Sequence, residues 1–302
     1  MNPVKDALLW ASQDPTLTTR LPRMRFVQRS VARFMPGESA EDALAAAERL
    51  IHDHGITASF TRLGENAIDL AQAAEAAGDY LRLLDRIEEL ALDAEISVKL
   101  TQLGFDQDPA VTATHIERLV DRSAGLGRTC WIDIESTRYV DGTLDLYEAE
   151  LRRSPNIGLC LQSYLHRTYD DVVRLLPLQP SIRLVKGAYR EPRDLVFASK
   201  AAIDESFFRL AQHLVHAGAR RVVLGSHDTA LIERIEAALG DREMFEIAML
   251  YGIRADEQRR FAREGYTIRT LISYGPSWYP WFMRRIAEKP VENTLLALRN
   301  LV

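Results

Sequence analysis

The chain has 302 residues, 47% hydrophobic and 27% charged, an ordinary balance for a globular protein with one large barrel or two average domains. A formal net charge of −5 exerts no general pull on phosphate backbones, which argues against nucleic acid as a partner. Two cysteines, Cys130 and Cys160, are too few for a disulfide framework and too isolated for a zinc cluster, and read as buried thiols of a reducing compartment.

Along the chain, residues 3–14 and 18–34 carry helical periodicity, with Pro36-Gly37 as a break. The second of these is amphipathic, with a basic face from Arg20 to Arg33. The start, MNPVKDALLW, lacks the long apolar run of a signal peptide, and no stretch approaches the ~20 apolar residues of a membrane-spanning helix. A cytoplasmic protein is expected, peripheral to the inner face of a membrane at most. Ser39 is placed to cap a helix through about residue 53, with Asp42 three residues on as a capping-box partner. Ala43, Leu44, Ala47 and Leu50 supply its apolar face.

From residue 56 a strand pattern appears eight times: Ile56 to Leu63, Ile96 to Leu103, Thr129 to Glu135, Ile157 to Tyr164, Ile182 to Tyr189, Arg221 to His227, Phe245 to Tyr251 and Tyr266 to Tyr274. Most are followed by helical periodicity, as in His115 to Ser123 and Ala201 to His216. Strands alternating with helices imply parallel βαβ units, and eight of them close a β/α barrel. An open doubly wound sheet is the alternative. The expected architecture is α/β, a (β/α)8 TIM barrel over 55–302 with an N-terminal helical segment, 1–54, packed on it as a single domain overall.

Strand side chains alternate between faces. Lys99 therefore shares a face with Ser97 and Thr101, and Asp133 with Trp131 and Glu135. Gln162 shares one with Tyr164, and Arg183 with Val185 and Tyr189. Neighbouring strands thus carry polar side chains opposite their aliphatic ones, and such charges are costly inside a barrel unless paired with each other or with a ligand. An internal ion-pair network is the bland alternative to a site at the C-terminal strand ends. Lys186 has the outward parity unless the strand distorts at Gly187, a residue that also lets a planar ligand approach the backbone.

No G-x-G-x-x-G follows a strand, and no Walker-type P-loop is present. Ser226-His227-Asp228 resembles a triad in text only, because adjacent strand residues face opposite ways. His227 reads better as a hydrogen-bond donor to a cofactor. The His and Asp residues have no metal-ligand spacing, and no metal is expected. After the eighth strand, Tyr279 to Glu288 reads as a helix with Pro280 near its first turn. Arg284 and Arg285 lie about 100° apart around its axis, close enough for two guanidinium forks to converge on one carboxylate. Glu288 is spaced to hold the pair. A solvated surface run is the alternative.

Seven segments together resemble the proline dehydrogenase family, in family order and at family-like intervals: SVKL at 97–100, WIDIE at 131–135, LQSYL at 161–165, RLVKGAY at 183–189, SHD at 226–228, MLYGIR at 249–254 and WFMRRIAE at 281–288. The resemblance implies a distorted barrel that binds FAD without a Rossmann domain. It implies that Lys99, Arg284 and Arg285 bind the substrate carboxylate and that Asp133 organises the charged floor of the pocket. Arg183 would lie beside flavin N5 and Gln162 at the isoalloxazine edge. Lys186, Gly187 and Ala188 would contact the flavin or its phosphates, and Ser226, His227 and Asp228 would line the cofactor site further along. Leu250 and Tyr189 would form apolar walls, Glu65 a gate that pairs with an active-site arginine, and Glu288 the orienter of the arginines.

The implied reaction takes a hydride from the proline ring carbon beside nitrogen to flavin N5, giving Δ1-pyrroline-5-carboxylate, with electrons passed to a membrane quinone. Pairing with a separate pyrroline-5-carboxylate dehydrogenase is a further expected partnership, and the basic helix Arg20 to Arg33 is a candidate membrane contact. Two positions depart from the family pattern. Leu271 and Trp281 stand where the family commonly has tyrosines around the substrate ring, which keeps 4-hydroxyproline or another substituted cyclic imino acid open as substrate. A non-redox aldolase or isomerase with Lys99 as Schiff base, and an imino-acid sensor, are the remaining alternatives.

Overall fold

The computed structural model describes residues 31–279 and 282–283. Eight parallel strands, joined in sequence order, form a closed barrel. The order is α1 (Ala40–His54), β1 (Thr57–Arg62), α2 (Leu70–Glu89), β2 (Ala94–Lys99), α3 (Pro109–Gly125), β3 (Cys130–Asp133), α4 (Val140–Arg153), β4 (Ile157–Gln162) and α5 (Thr168–Leu175). It continues through β5 (Ser181–Val185), α6 (Lys200–His216), β6 (Arg221–Gly225), α7 (Thr229–Leu239), β7 (Glu246–Leu250), α8 (Ala255–Arg263) and β8 (Ile268–Tyr274). β8 closes on β1 in register from Thr57 opposite Arg269 to Arg62 opposite Tyr274.

The Ser39 cap forms as a reciprocal box. Ser39 Oγ accepts from Asp42 N at 3.1 Å, and Asp42 Oδ2 accepts from Ser39 N at 3.3 Å. Two first-turn donors are thereby satisfied although Asp is the shorter partner. Asp69, Asp108, Ser199 and Asp228 cap α2, α3, α6 and α7 with the same chemistry.

The main core lies between sheet and helices. Ala58 and Phe60 of β1 are fully buried in one cluster with Ala43, Leu44 and Ala47 of α1. Truncating a ring such as Phe60 to alanine would cost about 3–5 kcal/mol. The alternate strand residues, including Ser59, Ser97, Trp131 and Arg183, are buried outside that cluster, on the barrel's inner face.

The strands end earlier than side-chain type suggests. β2 stops at Lys99, because Thr101–Leu103 turns into a 3-10 helix that ends at Gly104 with φ 100. β5 stops at Val185, and Gly187 (φ 113) turns the chain away. Lys186 to Tyr189 therefore belong to the loop after β5 rather than to the strand.

Candidate active site

The barrel interior is layered. At the N-terminal end a closed ionic cluster fills the lumen. Arg221 donates to Glu95 and to Glu246, both at 2.5 Å, and Arg269 Nε lies 3.2 Å from Glu95 Oε2. Trp131 Nε1 donates to Glu95 at 2.8 Å. Burial works against Glu95's charge, but Arg269 and Arg221 outweigh it and hold the carboxyl below its ordinary value. Two acids and two arginines neutralise one another, so this layer is structural.

Trp131 caps that cluster, with the Arg221 guanidinium 5.2 Å from its ring centroid and that of Arg183 at 5.1 Å. Arg183, on β5, reaches across the lumen to Asp133 of β3 and to Ser97 Oγ of β2 at 2.6 Å. Burial opposes its charge, yet Asp133 prevails and the guanidinium stays firmly protonated. Cys160 lies opposite Arg183 in register, and burial pushes its thiol up to about 12. It is no nucleophile at neutral pH.

Lys99, Asp133 and Gln162 follow at the C-terminal ends of adjacent strands, with Lys99 opposite Asp133. Lys99 is half-buried and makes no hydrogen bond or ion pair with any described residue. Gln162 Nε2 donates to Ile134 O at 2.8 Å, which fixes the amide orientation. Its Oε1 is then a buried acceptor without a partner among the described residues. Leu250 and Leu271 are opposite each other on β7 and β8, both half-buried, and form an apolar wall.

The loops add a network not singled out as part of the site from sequence. Glu135, two residues past Asp133, accepts from Thr101 N at 3.1 Å and Thr101 Oγ1 at 2.6 Å. Thr101 in turn accepts from Asn66 N at 3.1 Å and Ala67 N at 2.9 Å, and so fixes the loop that carries Glu65. Burial pushes Glu135 up to about 7 despite those bonds and the attraction of Lys99. The signal for it was the shared parity with Trp131 and Asp133. Across the mouth, Tyr189 Oη donates to Glu65 Oε1 at 3.4 Å.

Beyond β5 and β6, Lys186 keeps its outward parity and donates to Asp204 of α6 at 2.5 Å and Asp228 at 2.9 Å. Burial works against Asp228's charge, but Lys186 and Lys200 win and bring its carboxyl down to about 2. Ser226 Oγ accepts from Asp228 N, so the three residues of that segment form no triad. His227 Nε2 accepts from Leu250 N at 2.9 Å, which leaves the proton of a neutral ring on Nδ1. Ala188 is exposed beside Gly187. Trp281, Arg284, Arg285 and Glu288 lie outside the described residues, so of the cations expected to meet the carboxylate only Lys99 is placed here.

Two surface cavities, of about 350 and 230 Å3, lie elsewhere. One is bounded by Thr137, Arg167 and Leu195, the other by Arg33, Tyr251 and Thr270, and neither includes Lys99, Asp133 or Arg183. Convergent polar groups at the C-terminal strand ends mark the chemical site better than concavity does. Among the described residues, no group of three or more His, Cys, Asp or Glu side chains is placed to hold a metal ion.

The proline dehydrogenase family model matches residues 43–294. The chain is 35% identical to proline dehydrogenase of Deinococcus radiodurans over 268 residues, covering 85% of this chain and 86% of that protein. It is 30% identical to proline dehydrogenase 1 of Bacillus subtilis strain 168 over 303 residues, 99% of each. Among solved structures, proline utilization A from Bdellovibrio bacteriovorus superposes with a TM-score of 0.78 at 21% identity, and that from Bradyrhizobium japonicum with 0.75 at 22%. The superpositions cover 87% and 93% of this chain but about a third, 33% and 34%, of those longer chains, and they speak to the fold.

Proposed function

The chain belongs to the proline dehydrogenase family, and from that premise we propose that it oxidises L-proline to Δ1-pyrroline-5-carboxylate with FAD as cofactor, at the C-terminal mouth of the barrel. One arrangement carries this reading. Lys99, a cation unpaired among the described residues, stands beside a neutral Arg183–Asp133 pair and Gln162 Oε1, an acceptor with no partner among them, on consecutive strands.

The described residues fit a bound flavin. Gln162 Oε1 needs an N–H donor, which the edge of an isoalloxazine offers. Gly187, at φ 113, turns the chain beside that amide, and an added Cβ there would strike the Tyr164 ring at 2.1 Å, so only glycine gives the loop this course. Gln162, Arg183, Lys186, Gly187, Ala188, Ser226, His227 and Asp228 would hold the cofactor. When bound, it would supply the acceptor for a hydride from the substrate ring.

The chain's own residues bind and orient. Lys99, with Arg284 and Arg285, would clamp the carboxylate, while Leu250, Leu271, Tyr189 and Trp281 would bound the ring. Asp133 keeps Arg183 charged and in place. Glu65 would close the mouth, and Glu288 would orient the arginines. A deprotonated amine needs no general base, in keeping with a His227 committed to the Leu250 backbone.

Electrons would then leave to a quinone, and a separate pyrroline-5-carboxylate dehydrogenase would consume the product. No helix of the described residues is long and apolar enough to cross a membrane. Quinone reduction would take place from a cytoplasmic protein docked on the bilayer. Residues 1–54 would act as a helical segment packed on the barrel of 55–302. The paired leucines at 250 and 271 favour a second reading, oxidation of 4-hydroxyproline or another substituted cyclic imino acid.

The visible spectrum of the purified protein under anaerobic conditions tests the proposal. Flavin bands that bleach on adding proline are expected. A colourless protein, or a yellow one that proline leaves oxidised, overturns it. Steady-state turnover of proline against 4-hydroxyproline with a dye acceptor separates the two substrates.

A further inference from the structure

β8 ends at Tyr274, and nine residues of chain then separate the barrel from Arg285's neighbour Arg284. The β1–β8 ladder ends at Tyr274, and no ladder hydrogen bond orients the described residues beyond it, 275–279 and 282–283. What packs on them does so instead, and among the described residues that is the segment 31–38 together with Leu63 and Ile253. Phe34 and Met35 join Trp278, Phe282 and Met283 in a hydrophobic cluster separate from the main core. The Phe34 and Phe282 rings lie 5.9 Å apart, and Trp278 stands edge-on to Phe282 at 6.1 Å. Leu63, two residues before Glu65, belongs to the same cluster.

Polar contacts pin the arrangement. Trp278 Nε1 donates to Glu38 Oε1 at 2.7 Å, and Gly275 N donates to Glu38 O at 2.9 Å. The segment is seated on the barrel rim at Gly252 (φ 71), where an added Cβ would lie 1.5 Å from Arg33 O. This close backbone contact is why the MLYGIR segment needs a glycine.

We propose that residues 31–38 are a strap that positions the substrate-binding arginine pair, so that Glu38 and Phe34 act on the substrate site without touching substrate. Met283, held in the strap's cluster, is covalently followed by Arg284. Because carboxylate recognition by two guanidinium forks tolerates little displacement, loosening the strap weakens ground-state binding of the carboxylate. The inference rests on the reading that Arg284 and Arg285 hold that carboxylate.

The test uses the full-length, flavin-loaded enzyme and two ligands: proline, and tetrahydrofuran-2-carboxylate, which has the same ring size and carboxylate but no amine. Glu38 is exposed, so Glu38→Ala should fold while leaving Trp278 Nε1 unpaired. It is expected to raise KM for proline and Ki for the ether acid about fivefold or more, with kcat changed less than about twofold. Glu38→Gln keeps an acceptor for Trp278 and should restore both constants. Phe34→Ala should move them in the same direction as Glu38→Ala. Unchanged KM and Ki in Glu38→Ala, or a fall in kcat at constant Ki, overturns the strap. Arg284→Lys with Arg285→Lys separates the premises. If that variant raises KM and the strap variants do not, only the strap fails; if it leaves KM unchanged, the carboxylate reading fails with it.

Discussion

Replacing Glu135 by glutamine should flatten the pH dependence of stability. The carboxyl is 4% exposed, and burial raises it from an ordinary 4.5 to about 7. The folded protein therefore holds this proton more tightly than the unfolded chain does. Stability from the group is intact below about pH 4.5 and is lost as pH rises through about 7. A shift of that size corresponds to about 3 kcal/mol. The glutamine variant has no such titration, although its amide cannot accept from both Thr101 N and Thr101 Oγ1 and should cost about 1 kcal/mol at every pH. Urea unfolding of both proteins at about pH 5 and about pH 8.5 isolates the term, because every other group titrates alike in the two. The wild type should lose about 2–3 kcal/mol more than the variant between those conditions. Parallel losses would mean that the buried carboxyl titrates in the ordinary range and that Thr101 and Lys99 fully offset its desolvation.

Gly187→Ala should destabilise by about 2–4 kcal/mol and lower flavin content, because φ 113 is strained for alanine and its Cβ meets the Tyr164 ring. Gly218→Ala, at φ 77 with open space around it, should cost about 1 kcal/mol; equal losses in thermal unfolding would refute the steric account. Arg183→Met should cost about 2–4 kcal/mol by leaving the part-buried Asp133 uncompensated, and adding Asp133→Leu should recover part of it in chemical denaturation. Leu271→Tyr should raise the proline to 4-hydroxyproline ratio of kcat/KM about tenfold; an unchanged ratio would show that this wall does not meet the substrate ring.

Much of the barrel was legible in the amino-acid order because alternation and helical periodicity are local. They mark eight strands, the Ser39 cap and the inward face that carries Ser97, Lys99, Trp131, Asp133 and Arg183. They misplace strand ends, as at Thr101 and Lys186, because residue types do not change where the chain leaves the sheet.

Parity also gives a face but not a height along the barrel axis. Glu95 and Lys99 share a face in β2, yet Glu95 belongs to a sealed ionic layer with Arg221, 126 positions away, while Lys99 stands at the open mouth. Closure of the barrel and the stagger of its strands decide which inward charges meet each other and which are left for a ligand. Those are relations between residues far apart in the chain. Only the folded protein could pair Arg183 with Asp133, orphan Gln162 Oε1, and bring Glu38 to Trp278.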